Sequence, residues 1–178
     1  TTMARILGYI ASTLDGFIAT PDDRLDWLTK YDDVDFGEAA YDKFIASVRT
    51  LIMGRTTYDW VLRNAAEWPY GDRRTIVVTS RPLVDRRANV ETWTAGVDAL
   101  VGHARSLADG DVWMVGGGGL QMGFLERGAL DELALTIVPE LIGGGAPLFP
   151  PTGFAASPEL VSARSYDRGV VHLRYRFG

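Results

Sequence analysis

The fold is indicated first by the run Asp111-Val112-Trp113-Met114-Val115-Gly116-Gly117-Gly118-Gly119-Leu120. Residues 111–115 are almost entirely apolar, which is typical of a strand that is covered on both faces. Four glycines follow directly, and residues 120–127 have the pattern of a short helix. A buried strand that passes through glycines into a helix predicts a parallel sheet with helical crossovers.

The glycine run also suggests a chemistry. Glycines leave the backbone N–H groups at a helix start open to phosphate oxygens, so a pyrophosphate site is one interpretation. The spacing departs from the usual dinucleotide fingerprint, because Gln121 stands where the third glycine would fall. A tight strand-to-helix connection without a ligand is the other interpretation, and this feature alone does not choose between them.

Apolar segments of strand length alternate with segments of helical period on both sides of this run. The pattern predicts a central strand at residues 6–13 and further strands at residues 50–53, 74–80, 90–93 and 132–138. It predicts helices at residues 38–49 and 97–108 and another that begins at Thr56 or Thr57. With no linker or repeat in between, residues 1–178 are predicted to form a single α/β domain.

The pattern changes near the C-terminus. Strands are predicted at residues 159–166 and 170–177, joined by a turn at Asp167-Arg168-Gly169. Apolar residues alternate with polar ones in the last strand, so one face is expected to be buried and the other, which carries His172, to be wet. The sheet is therefore expected to be mixed, mostly parallel, with a C-terminal antiparallel hairpin.

Composition excludes several classes of function. The 178 residues are 47% hydrophobic, carry a net charge of −5 and include no cysteine. Thiolate metal sites and cysteine nucleophiles are thereby excluded, and no general positive field is available for nucleic acid. The sequence contains no apolar run of membrane-spanning length, no signal-peptide pattern and no metal-ligand spacing. A cytoplasmic protein without nucleic-acid or membrane partners is expected.

Three predicted strand ends carry anion-binding chemistry. Besides the glycine run, these are Gly54-Arg55-Thr56-Thr57 and Thr79-Ser80-Arg81. Because the carboxyl ends of parallel strands meet at one edge, the three segments are expected to converge. Each segment could be an ordinary cap or surface charge. Together they favour a phosphorylated ligand, and two arginines suit a dinucleotide with an additional 2′-phosphate.

The remaining polar candidates have two interpretations each. Glu38 and Asp42 are four residues apart in a predicted helix, where a solvated face is the usual meaning and a carboxylate that binds a nitrogen heterocycle is the alternative. Asp15 is either the polar partner of an Asp-Gly turn or a residue that gates a ligand loop. His103 and His172 are assigned no catalytic role.

Four motifs occur in a characteristic order along the chain: Ala11-Ser12-Thr13-Leu14-Asp15-Gly16-Phe17-Ile18-Ala19, Met53-Gly54-Arg55-Thr56-Thr57-Tyr58, Val78-Thr79-Ser80-Arg81 and Val115-Gly116-Gly117-Gly118. Together they resemble the dihydrofolate reductase-like superfamily, and in particular the reductase domain of the bifunctional riboflavin-biosynthesis deaminase-reductase. The likeness extends over nearly the whole chain.

The resemblance implies a three-layer α/β/α fold and NADPH as hydride donor. It would place Ala11, Ile18 and Ala19 at the nicotinamide and Glu38 at the position of the acid that binds the pterin ring, with Asp15 as the other catalytic candidate. Arg73 roughly matches the arginine that holds the folate tail. The remaining cofactor-binding residues that it implies are Gly54, Arg55, Thr56, Thr57, Thr79, Ser80, Arg81, Val115, Gly116, Gly117, Gly118, Gly119, Leu120, Gln121 and Thr136.

The expected function is that of an NADPH-dependent reductase acting on a C=N or C=O bond of a pteridine or a ribosylaminopyrimidine, as in riboflavin biosynthesis. Dihydrofolate reductase activity proper and a non-catalytic nucleotide-binding protein of the same fold are the alternatives. A homodimer is also expected, because the final hairpin and Trp60, Trp68 and Trp93 offer more apolar surface than one small core needs.

Overall fold

The computed structural model describes residues 3–83, 87 and 89–178 of the protein. Its strands, in chain order, are β1 (Ile6–Thr13), β2 (Phe17–Ala19), β3 (Val48–Gly54), β4 (Arg74–Val78), β5 (Val90–Trp93), β6 (Asp111–Gly116), β7 (Glu132–Val138), β8 (Ala146–Pro147), β9 (Glu159–Ser165) and β10 (Val171–Arg176). The helices are α1 (Asp26–Thr29), α2 (Tyr41–Ile45), α3 (Arg55–Asn64), α4 (Val97–Ser106) and α5 (Gly118–Glu126).

Eight of these strands form one sheet in the order β5-β4-β3-β6-β1-β7-β10-β9. The pairs from β5 to β7 are parallel, whereas β10 runs antiparallel to both β7 and β9. The prediction of a mixed, mostly parallel sheet with a C-terminal antiparallel hairpin is confirmed. So is the central position of β1, which lies between β6 and β7 because both of its faces are apolar.

Helices cover both faces of the sheet. Buried side chains of α4 and α5, such as Leu100 and Phe124, pack with Ile52 and Met114 on one face. Side chains of α2 and α3 pack on the other face, where Tyr58 is buried. The resulting three layers match the α/β/α architecture that the resemblance implied. The short β2 pairs with β8 in a separate two-stranded sheet beside the end of β1.

The predicted helix at residues 38–49 is wrong. A 3₁₀ turn spans Gly37–Ala39, Ala40 is extended (φ −66°, ψ 150°), and α2 is only five residues long. Val48 and Arg49 already belong to β3. Glu38 and Asp42 therefore do not share a helix face, and both side chains are exposed. The apolar spacing predicted one continuous helix. The extended Ala40 interrupts it, and the helix ends early because Val48 and Arg49 pair within the sheet as part of β3.

The final hairpin also differs from the prediction. His172 is 3% exposed, whereas its expected wet face should have left it in solvent. The reason is that β10 is an interior strand between β7 and β9, where the His172 ring lies beside the Thr136 hydroxyl and the ring of Tyr9. The edge strand on this side of the sheet is β9, in which Leu160 is 51% exposed.

Candidate active site

Two glycines meet at the carboxyl ends of β3 and β6. A Cβ atom added to Gly54 would lie 3.9 Å from the carbonyl oxygen of Gly116 and 4.0 Å from the nitrogen of Gly117. Gly116 has a φ of +131°, a conformation that only glycine adopts without strain, and the peptide bond that follows it is cis. No side chain therefore fills the space between these two strand ends.

Two helices begin at the same place. The caps of α3 and α5 are Gly54 and Gly117, and neither has a side chain that could bond the first turn. A Cβ on Gly117 would lie 3.9 Å from the Thr57 hydroxyl oxygen, so the two helix starts are neighbours. First-turn N–H groups have no intrahelical acceptor and favour anions. The pair of starts is suited to a pyrophosphate.

The four glycines of the predicted site do not share one role. A Cβ on Gly118 would collide with the Pro150 ring at 2.9 Å and with the Pro147 carbonyl oxygen at 3.0 Å. That glycine is required by close packing inside the chain. Gly119 is exposed and has no neighbour within 4 Å of the position of a Cβ. Leu120 packs on the core, and the buried Gln121 amide donates to the Leu148 carbonyl, so the Gln121 side chain is committed to the protein.

A cavity of about 450 Å³ lies at the end of β4. The Arg55 guanidinium reaches it and is fixed on both sides: Nε donates to both carboxylate oxygens of Asp59 at 3.1 Å, and Nη1 donates to the Arg81 carbonyl at 3.4 Å. The Thr79 hydroxyl accepts from the Arg81 nitrogen at 3.1 Å and shapes this turn. The cavity is lined by Arg55, Val78, Thr79, Ser80, Arg81, Trp93, Thr94 and Gly96.

The structure thus brings together the three strand ends that the sequence predicted to converge. Register places Val78 beside Gly54 and Gly116 beside Met53, so the ends of β4, β3 and β6 lie in that order. Thr56 is exposed at this edge, and Val115 packs in the core directly before the glycines.

The residues expected at the nicotinamide lie near the end of β1. Ala11 pairs with Thr136 of β7, and Ile18 and Ala19 belong to β2. They are half-buried. The backbone of residues 143–145 approaches β2 closely, since a Cβ on Gly145 would overlap the Ala19 carbonyl oxygen.

Asp15 holds the loop after β7. One carboxylate oxygen accepts from the Ile142 and Gly143 nitrogens at 3.1 and 2.8 Å, and the other accepts from the Thr13 hydroxyl. The Thr13 hydroxyl contributes most to lowering the pKa of Asp15, and the two backbone donors lower it further. The carboxylate of Asp15 therefore ties the turn after β1 to the loop after β7, and a catalytic role for Asp15 stays a prediction.

A group of aromatic rings lies on the α2 face of the sheet, next to Ala11. Tyr9 of β1 stacks on Phe44 with ring centroids 4.5 Å apart, and Trp113 of β6 stands edge-on to Phe44 at 5.4 Å. The Tyr9 hydroxyl donates to the Ala39 carbonyl at 2.9 Å, and burial raises the pKa of Tyr9 to about 12. We call Tyr9, Tyr41, Phe44 and Trp113 the aromatic cluster.

Glu38 does not join this cluster with its side chain. Glu38 lies in the same 3₁₀ turn as Ala39, whose carbonyl oxygen accepts the hydrogen bond from the Tyr9 hydroxyl. The Glu38 carboxylate itself is exposed and makes no hydrogen bond or ion pair with any described residue. The structure therefore gives no support for Glu38 as the acid that binds a ring.

Sequence reasoning missed a buried polar pair beside the cluster. The hydroxyl oxygen of Thr136 and Nδ1 of His172 are 3.0 Å apart, and the two residues are 8% and 3% exposed. The rings of His172 and Tyr9 have centroids 6.3 Å apart. Only the pairing of β10 with β7 reveals this contact, because the two residues are 36 positions apart in the chain.

Comparison with known proteins supplies the family. The model of the RibD C-terminal domain matches residues 6–172. The chain belongs to the RibD C-terminal domain family. A relative, the uncharacterized protein YwjB of Bacillus subtilis, is 33% identical over 141 residues, which cover 79% of this chain and 80% of YwjB. This RibD C-terminal domain protein thus has a relative whose own activity is not described.

Solved structures share the fold. A protein of Shewanella sp. PV-4 provisionally assigned to riboflavin biosynthesis superposes with a TM-score of 0.85 at 25% identity, covering 98% of this chain and 99% of its own. A Thermotoga maritima diaminohydroxyphosphoribosylaminopyrimidine deaminase/5-amino-6-(5-phosphoribosylamino)uracil reductase gives 0.68 at 16%, covering 99% and 57%. Enterococcus faecalis dihydrofolate reductase, complexed with NADP(H), gives 0.63 at 19%, covering 98% and 97%. The predicted dihydrofolate reductase-like fold is confirmed.

In the part of the chain that the structure describes, no helix is long and apolar enough to cross a membrane.

Proposed function

We propose that this RibD C-terminal domain protein is an NADPH-dependent reductase of a pteridine or ribosylaminopyrimidine. The observation that carries the proposal is the meeting of two uncapped helix starts at Gly54 and Gly117 beside the cavity that contains Arg55. The first feature suits a pyrophosphate, and the second suits an additional phosphate on the ribose.

The chain's own residues fit this dinucleotide. Gly54 and Gly117 would leave the first-turn N–H groups of α3 and α5 open to the pyrophosphate oxygens, and Arg55 would face the 2′-phosphate from a fixed position. Ala11, Ile18 and Ala19 would border the nicotinamide at the end of β1. When bound, the cofactor supplies the hydride. The aromatic cluster next to Ala11 would orient a flat substrate and exclude water from it.

Two proteins with this fold support the choice of cofactor and substrate. The Enterococcus faecalis reductase was solved with NADP(H), and the name of the Thermotoga maritima enzyme includes reduction of 5-amino-6-(5-phosphoribosylamino)uracil. In this chain Arg73, which roughly matches the arginine that holds the folate tail, donates through all three nitrogens to the carbonyls of Ile45, Val48 and Tyr70. Its guanidinium is occupied within the protein, which favours a substrate other than dihydrofolate.

The test begins with titration of the purified protein with NADPH and with NADH. Quenching of tryptophan fluorescence reports binding, since Trp93 lines the cavity that contains Arg55. Loss of dihydronicotinamide absorbance is then followed with 5-amino-6-(5-phosphoribosylamino)uracil and with dihydrofolate. Selective binding of NADPH and oxidation with the first substrate support the proposal. Binding without oxidation by either substrate favours a non-catalytic protein, and no binding contradicts the cofactor site.

A further inference from the structure

One row of three side chains crosses the sheet beside the aromatic cluster. Register pairs Ala11 of β1 with Thr136 of β7, and Thr136 with His172 of β10. Laterally paired residues project from the same face of a sheet. The row therefore runs from the residue proposed to border the nicotinamide to a buried imidazole.

The imidazole has one nitrogen committed and one without a protein partner. Nδ1 lies 3.0 Å from the Thr136 hydroxyl oxygen, whereas Nε2 has no hydrogen-bond partner among residues 3–83, 87 and 89–178. Because Nδ1 is engaged with Thr136, Nε2 is the nitrogen that is left for a ligand. The Thr136 contact also fixes the plane of the ring.

The charged and titratable neighbours of His172 do not supply an ion pair. Tyr9 faces it from β1, Arg174 follows on the same face of β10, and Arg164 is its lateral partner on β9. Burial and the charge of Arg174 both lower the pKa of His172. The imidazole is therefore neutral near pH 7, with one nitrogen as donor and the other as acceptor.

A buried polar atom without a partner lies in the neighbouring aromatic cluster. Trp113 is 7% exposed, and its indole N–H has no hydrogen-bond partner in the described part of the chain. Its ring lies 6.4 Å from that of Tyr9, which is also the ring nearest to His172. Aromatic faces and two unsatisfied nitrogen positions suit a flat ring with polar atoms on its edge.

We propose that His172 is a substrate-positioning residue: Thr136 orients its ring, and Nε2 hydrogen-bonds the polar edge of an uncharged nitrogen heterocycle that lies against Tyr9. The inference rests on the proposed function and adds the residue that hydrogen-bonds the heterocycle of the substrate. His172 holds the ring beside Ala11, where the hydride is expected to arrive.

The first test uses the two histidines of the chain as separate NMR signals. The protein is saturated with NADP⁺, and 5-amino-6-ribitylaminouracil and 6-hydroxymethylpterin are then added in turn. His172 ring signals are expected to shift with at least one probe and their pH titration to move, while His103, on α4, keeps its position. If neither probe moves the His172 signals, the proposal is overturned, whether or not the probes bind elsewhere.

The second test separates positioning from stability. Thr136→Val and His172→Asn are expected to weaken binding of the responding probe by about 3- to 10-fold, the effect of one neutral hydrogen bond. NADPH affinity of His172→Asn should change by less than about twofold, because this side chain does not lie at the phosphate edge. If the variants lower the melting temperature but bind the probe in the folded state as tightly as the wild type, the two residues have a structural role only. That result would overturn the proposal.

The two tests can fail independently of the proposed function. A protein that binds NADPH selectively and oxidises it with a substrate, yet shows no response at His172, retains the reductase and loses this inference. Conversely, a shift of His172 on addition of a heterocycle stands even if no turnover is found.

Discussion

Gly54 and Gly116 lie against each other at the ends of β3 and β6, with 3.9 Å between the position of a Gly54 Cβ and the Gly116 carbonyl oxygen. That distance is an ordinary van der Waals contact, and Gly54 has φ −77° and ψ 167°, which alanine also adopts. The folded protein can therefore accommodate a methyl group at Gly54. A pyrophosphate bound in the same space would clash with that methyl group.

The first prediction follows from this geometry. Gly54→Ala should unfold at nearly the denaturant concentration of the wild type but bind NADPH about 10- to 100-fold more weakly, as expected for lost charge-assisted hydrogen bonds. Urea unfolding and fluorescence titration measure the two effects. Unchanged NADPH affinity in a folded Gly54→Ala protein would show that no phosphate occupies this space.

Arg55 is predicted to distinguish the two dinucleotides. Arg55→Ala should lower NADPH affinity about 10- to 100-fold and NADH affinity far less, because only NADPH carries the 2′-phosphate. Arg63→Ala, in the last turn of the same helix and exposed, is the matched control and should affect neither. An equal loss for both dinucleotides in Arg55→Ala would mean that this arginine does not read the 2′-phosphate.

Asp15 is predicted to make the loop after β7 sensitive to acid. Its native contacts lower its pKa below the ordinary 3.8, so its contribution to stability is present above that value and is lost as the pH falls through the lower, folded pKa. The amides of Ile142 and Gly143 should lose hydrogen-exchange protection in that acid range. In Asp15→Ala they should be unprotected at neutral pH as well. Full protection in the variant would contradict the anchoring role.

Asp131 is predicted to fix the start of the central strand. Its carboxylate accepts from the Ile6 nitrogen at 2.7 Å and from Arg105 Nη2 at 2.9 Å. Asp131→Ala should lower the free energy of unfolding by about 1.5–3 kcal/mol, the range for hydrogen bonds to charged groups. Asp98→Ala removes an ion pair whose carboxylate is 89% exposed and should cost about 0–1 kcal/mol. Equal losses in the free energy of unfolding by urea for the two variants would contradict this prediction.

The homodimer remains a prediction, although the three tryptophans that suggested an exposed apolar surface make contacts within the chain. The indole nitrogens of Trp60 and Trp93 donate to the carbonyls of Asp23 and Gly96, and Trp68 packs against Tyr70, so these rings are engaged within one chain. Exposed apolar side chains remain on the edge strand β9, where Leu160 lies. Light scattering at micromolar concentration should give the mass of a dimer, and a monomer mass would rule it out.

The local pattern of the sequence was sufficient for most of the architecture. Predicted and observed bounds of the eight strands of the large sheet, of α4 and α5 and of the start of α3 differ by two residues at most, whereas β2 and β8 were not predicted. The convergence of the ends of β3, β4 and β6 was also predictable, because parallel strands necessarily bring their carboxyl ends to one edge. These features depend on residues that are adjacent in the chain, and hydrophobic period reports such residues directly.

The contacts of the buried polar side chains in the candidate site could not be predicted from the local sequence pattern. Alternation along β10 separates His172 from Leu173 correctly but cannot tell which face is covered, since that depends on β9 and on the register with Thr136. The same limit applies to Arg73, whose guanidinium is occupied by carbonyls up to 28 residues away.

The sequence by itself determined the α/β class, the central position of β1 and the glycine-rich ends of β3 and β6. The tertiary structure alone decided that Glu38 is solvated, that Asp15 anchors a loop and that His172 is buried against Thr136. The physical reason is that apolar period and turn chemistry act between near neighbours in the chain, whereas burial of a polar side chain is set by strands that meet only after folding.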